Sequence, residues 1–130
     1  MKKIKKLLNH FLWSFFLLVL VFLLWIHHVE KQAPTVYLEE KSNKTVVFYR
    51  DDCPHCQHVF PYLYYRKLIK NDVTLVNLNN PANRLYIAKY KIKSVPTVIT
   101  PNQSRYAGSH LKTIHRVLNR VEKEEGIRDE

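Results

Sequence analysis

The chain's only two cysteines stand two residues apart, as Cys53-Pro54-His55-Cys56. Thiols at that spacing can close into a disulfide with each other or exchange with a disulfide in another polypeptide, and the attacking species is the thiolate. A helix start favours the thiolate, because unpaired amides and the macrodipole present positive charge there. The sequence places the pair at such a start. Residues 45–49, Thr-Val-Val-Phe-Tyr, are a short run of β-branched and aromatic residues, the pattern of a fully buried strand. Arg50-Asp51-Asp52 forms a loop, and from residue 53 to about 70 apolar side chains recur at helical spacing: Val59, Phe60, Leu63, Tyr64, Leu68 and Ile69. Cys53 is therefore expected to be the partly exposed nucleophile, and Cys56, one turn further in, the buried resolving thiol. His55 can donate to the Cys53 sulfur or place positive charge beside it. Asp51 and Asp52 work in the opposite sense, since nearby negative charge disfavours a thiolate, and their orientation decides the balance.

Other chemistries fit the residues less well. A closed zinc site needs four ligands, usually from two Cys/His pairs at characteristic spacing. His58, His110 and His115 make no such second pair, so no metal is expected. Covalent haem requires His directly after the second cysteine, where Gln57 stands, and no cofactor is expected. His110 and His115 are five apart on a helix and read as surface or capping residues. His58 reads either as helix surface or as an influence on the cysteine site. Tyr62-Leu63-Tyr64-Tyr65 reads as core and rim. With 21 Lys and Arg against 11 Asp and Glu the chain carries +10, but the cations are scattered and no base-reading motif accompanies them, so nucleic acid is not an expected partner.

Four of those charges lie in Met1-Lys2-Lys3-Ile4-Lys5-Lys6. The twenty residues 7–26 that follow contain only Asn9, His10 and Ser14 as polar side chains. At helical rise they span about 30 Å, a bilayer's hydrocarbon core, and Trp13 and Trp25 suit the two interfaces. The lysines should stay in the cytoplasm, with the remainder on the outer face. A cleaved signal peptide would have a shorter apolar core and a small-x-small site. Neither is present here, and an uncleaved anchor is favoured. The expected organisation is a basic start and transmembrane anchor at 1–29, a polar tether at 30–43 with a short strand at 36–38, a domain at 44–126 and a tail at 127–130. Within the domain, further strands are expected at 73–78, 92–100 and 104–107. Helices are expected at 82–90 and about 110–125, the last one capped by Ser109.

The order β-α-β-α-β-β-α, with Cys-x-x-Cys after the first strand and a proline opening the third, resembles the thioredoxin fold over residues 44–125. Three features carry the resemblance: the cysteine pair at a strand–helix junction, Pro61 five residues after Cys56, and Tyr90-Lys91-Ile92-Lys93-Ser94-Val95-Pro96-Thr97, which is similar to the family's cis-proline segment. The resemblance implies an α/β thioredoxin-like fold, a mixed sheet with helices on both faces, preceded here by the transmembrane helix. It implies thiol–disulfide oxidoreductase activity, with Pro96 cis and facing the cysteines, and with the Val95 backbone binding substrate as an added strand. Asp52 replaces the family's tryptophan, and Val47 and Leu75 stand where thioredoxins bury an Asp–Lys pair. These departures speak against a cytosolic-type reductase. The Pro-His dipeptide and the valine before the proline resemble the bacterial DsbA oxidases, whose extra helical domain has no room here. In overall plan the chain is most similar to short, anchored thioredoxin-like proteins, including accessory proteins of disulfide-containing bacteriocins. The expected partners are cysteine-containing exported polypeptides, the membrane, and a redox partner that regenerates the site and whose identity the sequence does not give. The rivals are an extracytoplasmic reductase fed by a membrane electron donor and a non-catalytic binding module; the latter needs neither cysteine.

Overall fold

In the computed structural model, residues 1–40 and 42–128 are described. They divide into two compact units, the first Met1–Gln32 and the second from Ala33 onward.

The first unit is one helix, α1 (Lys2–Lys31). Thirty residues at 1.5 Å each make about 45 Å. The most apolar window has a mean hydropathy of 2.3 and none of it is buried, so the helix is long and apolar enough to cross a membrane. Apolar side chains surround it, whereas a helix lying on a protein core shows a single stripe.

The second unit is built on a four-stranded sheet in the order β2-β1-β3-β4. The strands are β1 (Thr45–Tyr49), β2 (Val73–Asn77), β3 (Thr97–Ile99) and β4 (Arg105–Ala107). β1 pairs parallel to β2, Val47 opposite Leu75, and antiparallel to β3, Val47 opposite Val98. β4 runs antiparallel to β3 along the edge. Three of the four residues 46–49 are fully or nearly buried, as expected of a strand covered on both faces. Successive residues point to opposite faces. Phe48 packs with Tyr86 and Tyr90, and Tyr49 packs with Phe60 on the other face.

Helix α2 (Pro54–Ile69) buries Cys56, Val59, Phe60 and Leu63. It continues through Pro61, although proline removes one helical donor. α4 (Leu111–Arg128) contributes Ile114 and Leu118 to the core. Burying each such side chain contributes about 1.5–3 kcal/mol. The expected helix at 82–90 is a 3₁₀ turn, Pro81–Arg84, followed by α3 (Leu85–Lys89). The last helix starts one residue later than Ser109 would set it. The His110 carbonyl accepts from the amides of Thr113 and Ile114, so His110 stands at the cap. The strand expected at 92–100 shrinks to β3, because Lys91 (φ 51°) turns the chain and the Ile92 amide bonds back to the Ile87 carbonyl at 2.9 Å.

The stretch expected to space the domain from the membrane is strapped onto it. No strand forms at 36–38. Instead, side chains from the β2–α3 connection and from α3 itself grip its backbone. Asn80 Nδ2 donates to the Ala33 carbonyl at 2.7 Å. Asn83 Nδ2 donates to the Pro34 carbonyl, and its Oδ1 accepts from the Val36 amide, both at 2.9 Å. Tyr86 Oη donates to the Val36 carbonyl at 2.8 Å and accepts from the Leu38 amide at 3.1 Å. Val36 and Leu38 then pack on the Phe48–Tyr86 cluster.

Candidate active site

Parallel pairing brings the C-terminal ends of β1 and β2 to one edge of the sheet, where the Leu78 amide donates to the Tyr49 carbonyl at 2.8 Å. Antiparallel β3 begins at that same edge, with Thr97 opposite Phe48. The loop after β1 and the segment before β3 must therefore meet. The loop closes through the Cys53 amide donating to the Arg50 carbonyl at 3.3 Å, and the Gln57 amide donates to the Cys53 carbonyl at 3.0 Å. Cys53 is thus the N-cap of α2, and Pro54 occupies the first turn, where its missing donor costs nothing. Opposite, the Val95–Pro96 peptide bond is cis, as the resemblance implied. The Cys53 thiol lies 4.0 Å from the Val95 carbonyl oxygen. Cys53 is half-buried and Cys56 fully buried.

Charge around the pair is organised by residues that the sequence reading did not single out. Arg50 clasps Asp52 bidentately, with Nε to Oδ1 at 3.0 Å and Nη2 to Oδ2 at 2.7 Å. The hydrogen bond from Arg50, with a further one from Asn79, holds the Asp52 carboxyl below its ordinary range, and the same bond to Asp52 keeps Arg50 more firmly protonated. Asn79 accepts from Arg50 Nε at 3.0 Å and donates to Asp51 Oδ1. Gln57 Nε2 donates to the Asp51 carbonyl at 2.8 Å. Both carboxylates preceding the cysteines are therefore engaged by partners from their own loop and from the end of β2. The available signal was Asn79 itself, two residues past a strand that runs parallel to β1.

His55 is exposed, and its ring turns to the loop before α4, with Nδ1 3.4 Å from Ser109 Oγ. The Gly108 amide donates to the Pro96 carbonyl at 3.0 Å, which holds that loop against the proline. Gly108 has φ 151°, a conformation that favours glycine. His58 is exposed. His115 bonds Tyr62 Oη through Nδ1 at 2.8 Å and Asn119 through Nε2 at 2.9 Å. Tyr64 stacks on Phe60 while Tyr65 faces solvent. Among the described residues, no three His, Cys, Asp or Glu side chains are grouped to hold a metal ion. The edge thus presents one accessible thiol, a second thiol beneath it, and a stretch of backbone alongside.

Comparison with known proteins bears on this arrangement. The family model for thioredoxin matches residues 26–120. No curated protein matches the chain by sequence at a significant level. Among solved structures, thioredoxin from Fasciola hepatica superposes with a TM-score of 0.51 at 21% identity, covering 62% of this chain and 84% of that one. Thioredoxin O1 from Arabidopsis thaliana superposes at 0.50 with 19% identity, covering 59% and 75%. Thioredoxin from Malassezia sympodialis superposes at 0.50 with 14% identity, covering 62% and 80%. At such identities the structures speak for the fold alone. The family model spans well over half of the residues, including the cysteine pair and the cis proline, and the chain belongs to the thioredoxin family.

Proposed function

We propose that this protein is a membrane-anchored, extracytoplasmic thiol–disulfide oxidoreductase that forms or isomerises disulfides in exported polypeptides. Within the family we place it with the short anchored thioredoxin-like proteins that have a DsbA-like Pro-His dipeptide, including those that accompany disulfide-containing bacteriocins. The observation that carries the reading is the half-buried Cys53 thiol at a helix N-cap, 4.0 Å from the backbone of Val95 and one turn from buried Cys56. In the oxidising direction, a substrate thiolate attacks Cys53 Sγ of the closed Cys53–Cys56 disulfide and expels the Cys56 thiolate. The substrate's second thiolate then attacks its own sulfur in the mixed disulfide and expels the Cys53 thiolate. The substrate loses two electrons, the enzyme gains them, and a membrane redox partner reoxidises the pair. Val95 and Pro96 form the wall along which the substrate chain lies. His55, two residues after Cys53 in the first turn of α2, can lend positive charge to the leaving sulfur.

The oxidising direction is favoured over reduction because Val47 and Leu75, apolar and buried, stand at the positions where the resemblance puts the proton-handling Asp–Lys pair of a cytosolic-type reductase. A reduction potential well above about −270 mV agrees with this direction, and one near it favours the reductase. The decisive experiment is trapping. Full-length Cys56→Ser expressed in membranes should accumulate reducible adducts that disappear when Cys53 is also replaced, and a membrane-impermeant maleimide should label Cys53 in intact cells. If no adduct forms, the non-catalytic binding module is the correct reading.

A further inference from the structure

The geometry points to a partner segment that carries an acidic side chain two or three residues from its target cysteine, with an apolar residue between them. This inference rests on the exchange reading above and names the substrate class for that site. A groove of about 420 Å³ is lined by Val95, the residue whose carbonyl faces the Cys53 sulfur, by apolar Leu78, Ile87 and Ile92, and by Arg84 and Lys93. Its floor continues the core outward, since Leu78, Ile92 and Val95 all pack into the Phe48–Tyr86 cluster. Ile87, on the rim, keeps 39% of its surface exposed. An extended chain advances about 3.3 Å per residue. Lys93 stands two residues before Val95 in the same segment, so an extended partner chain whose cysteine lies at Cys53 can bring a residue two or three positions away to Lys93, past the apolar lining.

The groove's charge is one-sided. Its lining includes three cations and no carboxylate. Arg50 is taken up by Asp52. Arg84 Nε donates to the Leu78 carbonyl at 3.3 Å, which steadies its stem over the groove. Among the described residues neither Arg84 nor Lys93 forms an ion pair. Asp51 and Asp52, the carboxylates closest in sequence to the cysteines, are turned to Asn79 and Arg50. Two uncompensated cations along an apolar floor attract an anionic side chain, steer encounter, and disfavour a basic one.

The test uses the full-length dithiol protein in detergent and three otherwise identical peptides. Each has Glu, Gln or Lys two residues from a single cysteine that is blocked as a mixed disulfide with 5-thio-2-nitrobenzoate. The Cys53 thiolate attacks the peptide sulfur and expels the coloured thiolate. The Cys56 thiolate then attacks Cys53 Sγ and releases the peptide thiol, leaving the protein oxidised by two electrons. At low salt the Glu peptide should react about fivefold faster than the Lys peptide, and the ratio should fall towards one as salt screens it. Arg84→Glu with Lys93→Glu should invert the ratio. Lys67→Glu, about 20 Å along α2 from its N-terminus, should leave it unchanged. Equal rates for the Glu and Lys peptides in the parent protein, or an equal response to the groove and Lys67 variants, overturn the groove proposal alone. Absence of release from every peptide overturns the exchange reading and this inference with it.

Discussion

Replacing Asn83 by alanine tests whether residues 33–38 belong to the folding unit or merely link it to α1. Asn83 is fully buried. Its amide donates to the carbonyls of Pro34 at 2.9 Å and Asn77 at 3.0 Å, and its carbonyl oxygen accepts from the Val36 amide at 2.9 Å. Each of these bonds contributes a net 1 kcal/mol or so, giving a loss of about 3 kcal/mol for Asn83→Ala. Because the strap can lift and find water, the larger penalty for burying unsatisfied groups does not apply in full. For a unit of this size about 3 kcal/mol corresponds to a fall in Tm on the order of 15 °C. Both tryptophans lie in α1 and all eight tyrosines lie beyond it, so near-ultraviolet circular dichroism of the tyrosines follows the second unit in the detergent-solubilised chain. Hydrogen exchange supplies the local readout, since the amides of Val36 and Leu38 should lose protection. An unfolding free energy within 1 kcal/mol of the parent, together with a still-protected Val36 amide, would refute the claim that the strap is part of the fold.

Two further perturbations probe the reactive edge. Asp52 has a carboxyl held below its ordinary value by Arg50. The stability it contributes is therefore complete above the unfolded value of about 3.9 and disappears as pH falls through the folded one. Asp52→Asn should be less stable than the parent at pH 6.5 and indistinguishable from it at the acid end of a urea-unfolding series; a gap that stays constant with pH refutes the pairing. At Gly108 a Cβ would sit 2.8 Å from Tyr106 Oη, on a backbone at φ 151°. Gly108→Ala should cost about 1–3 kcal/mol. Adding Tyr106→Ala should recover only the part due to the clash, and full recovery in the double variant would show that the backbone carries no strain.

The cysteines and the strand–helix alternation could be read from the sequence because each is a local pattern, and the cis proline followed from the resemblance of residues 90–97 to the family's segment. β1 is apolar on both faces, so it appears as an unbroken run from Val46 to Tyr49, and α2 repeats its buried side chains at helical spacing. The features that escaped are non-local ones. Ile92 and Val95 read as strand because they are apolar, but their burial is in a loop that walls the groove. The strap is the clearest case. Its attachments are backbone carbonyls and amides gripped by Asn80, Asn83 and Tyr86, 47–50 residues away, and backbone groups leave no mark on the side-chain pattern of the segment they belong to. The legible half of that contact was on the other partner. Three residues able to hydrogen-bond, Asn80, Asn83 and Tyr86, share the turn and short helix after β2, and Asn83 and Tyr86 are buried there. Buried polar side chains are nearly always hydrogen-bonded, so their presence calls for a main chain passing over them. In the same way Asn79, one residue earlier, has Asp51 as its partner, which joins the anchor-side strap and the cysteine loop to a single corner of the sheet.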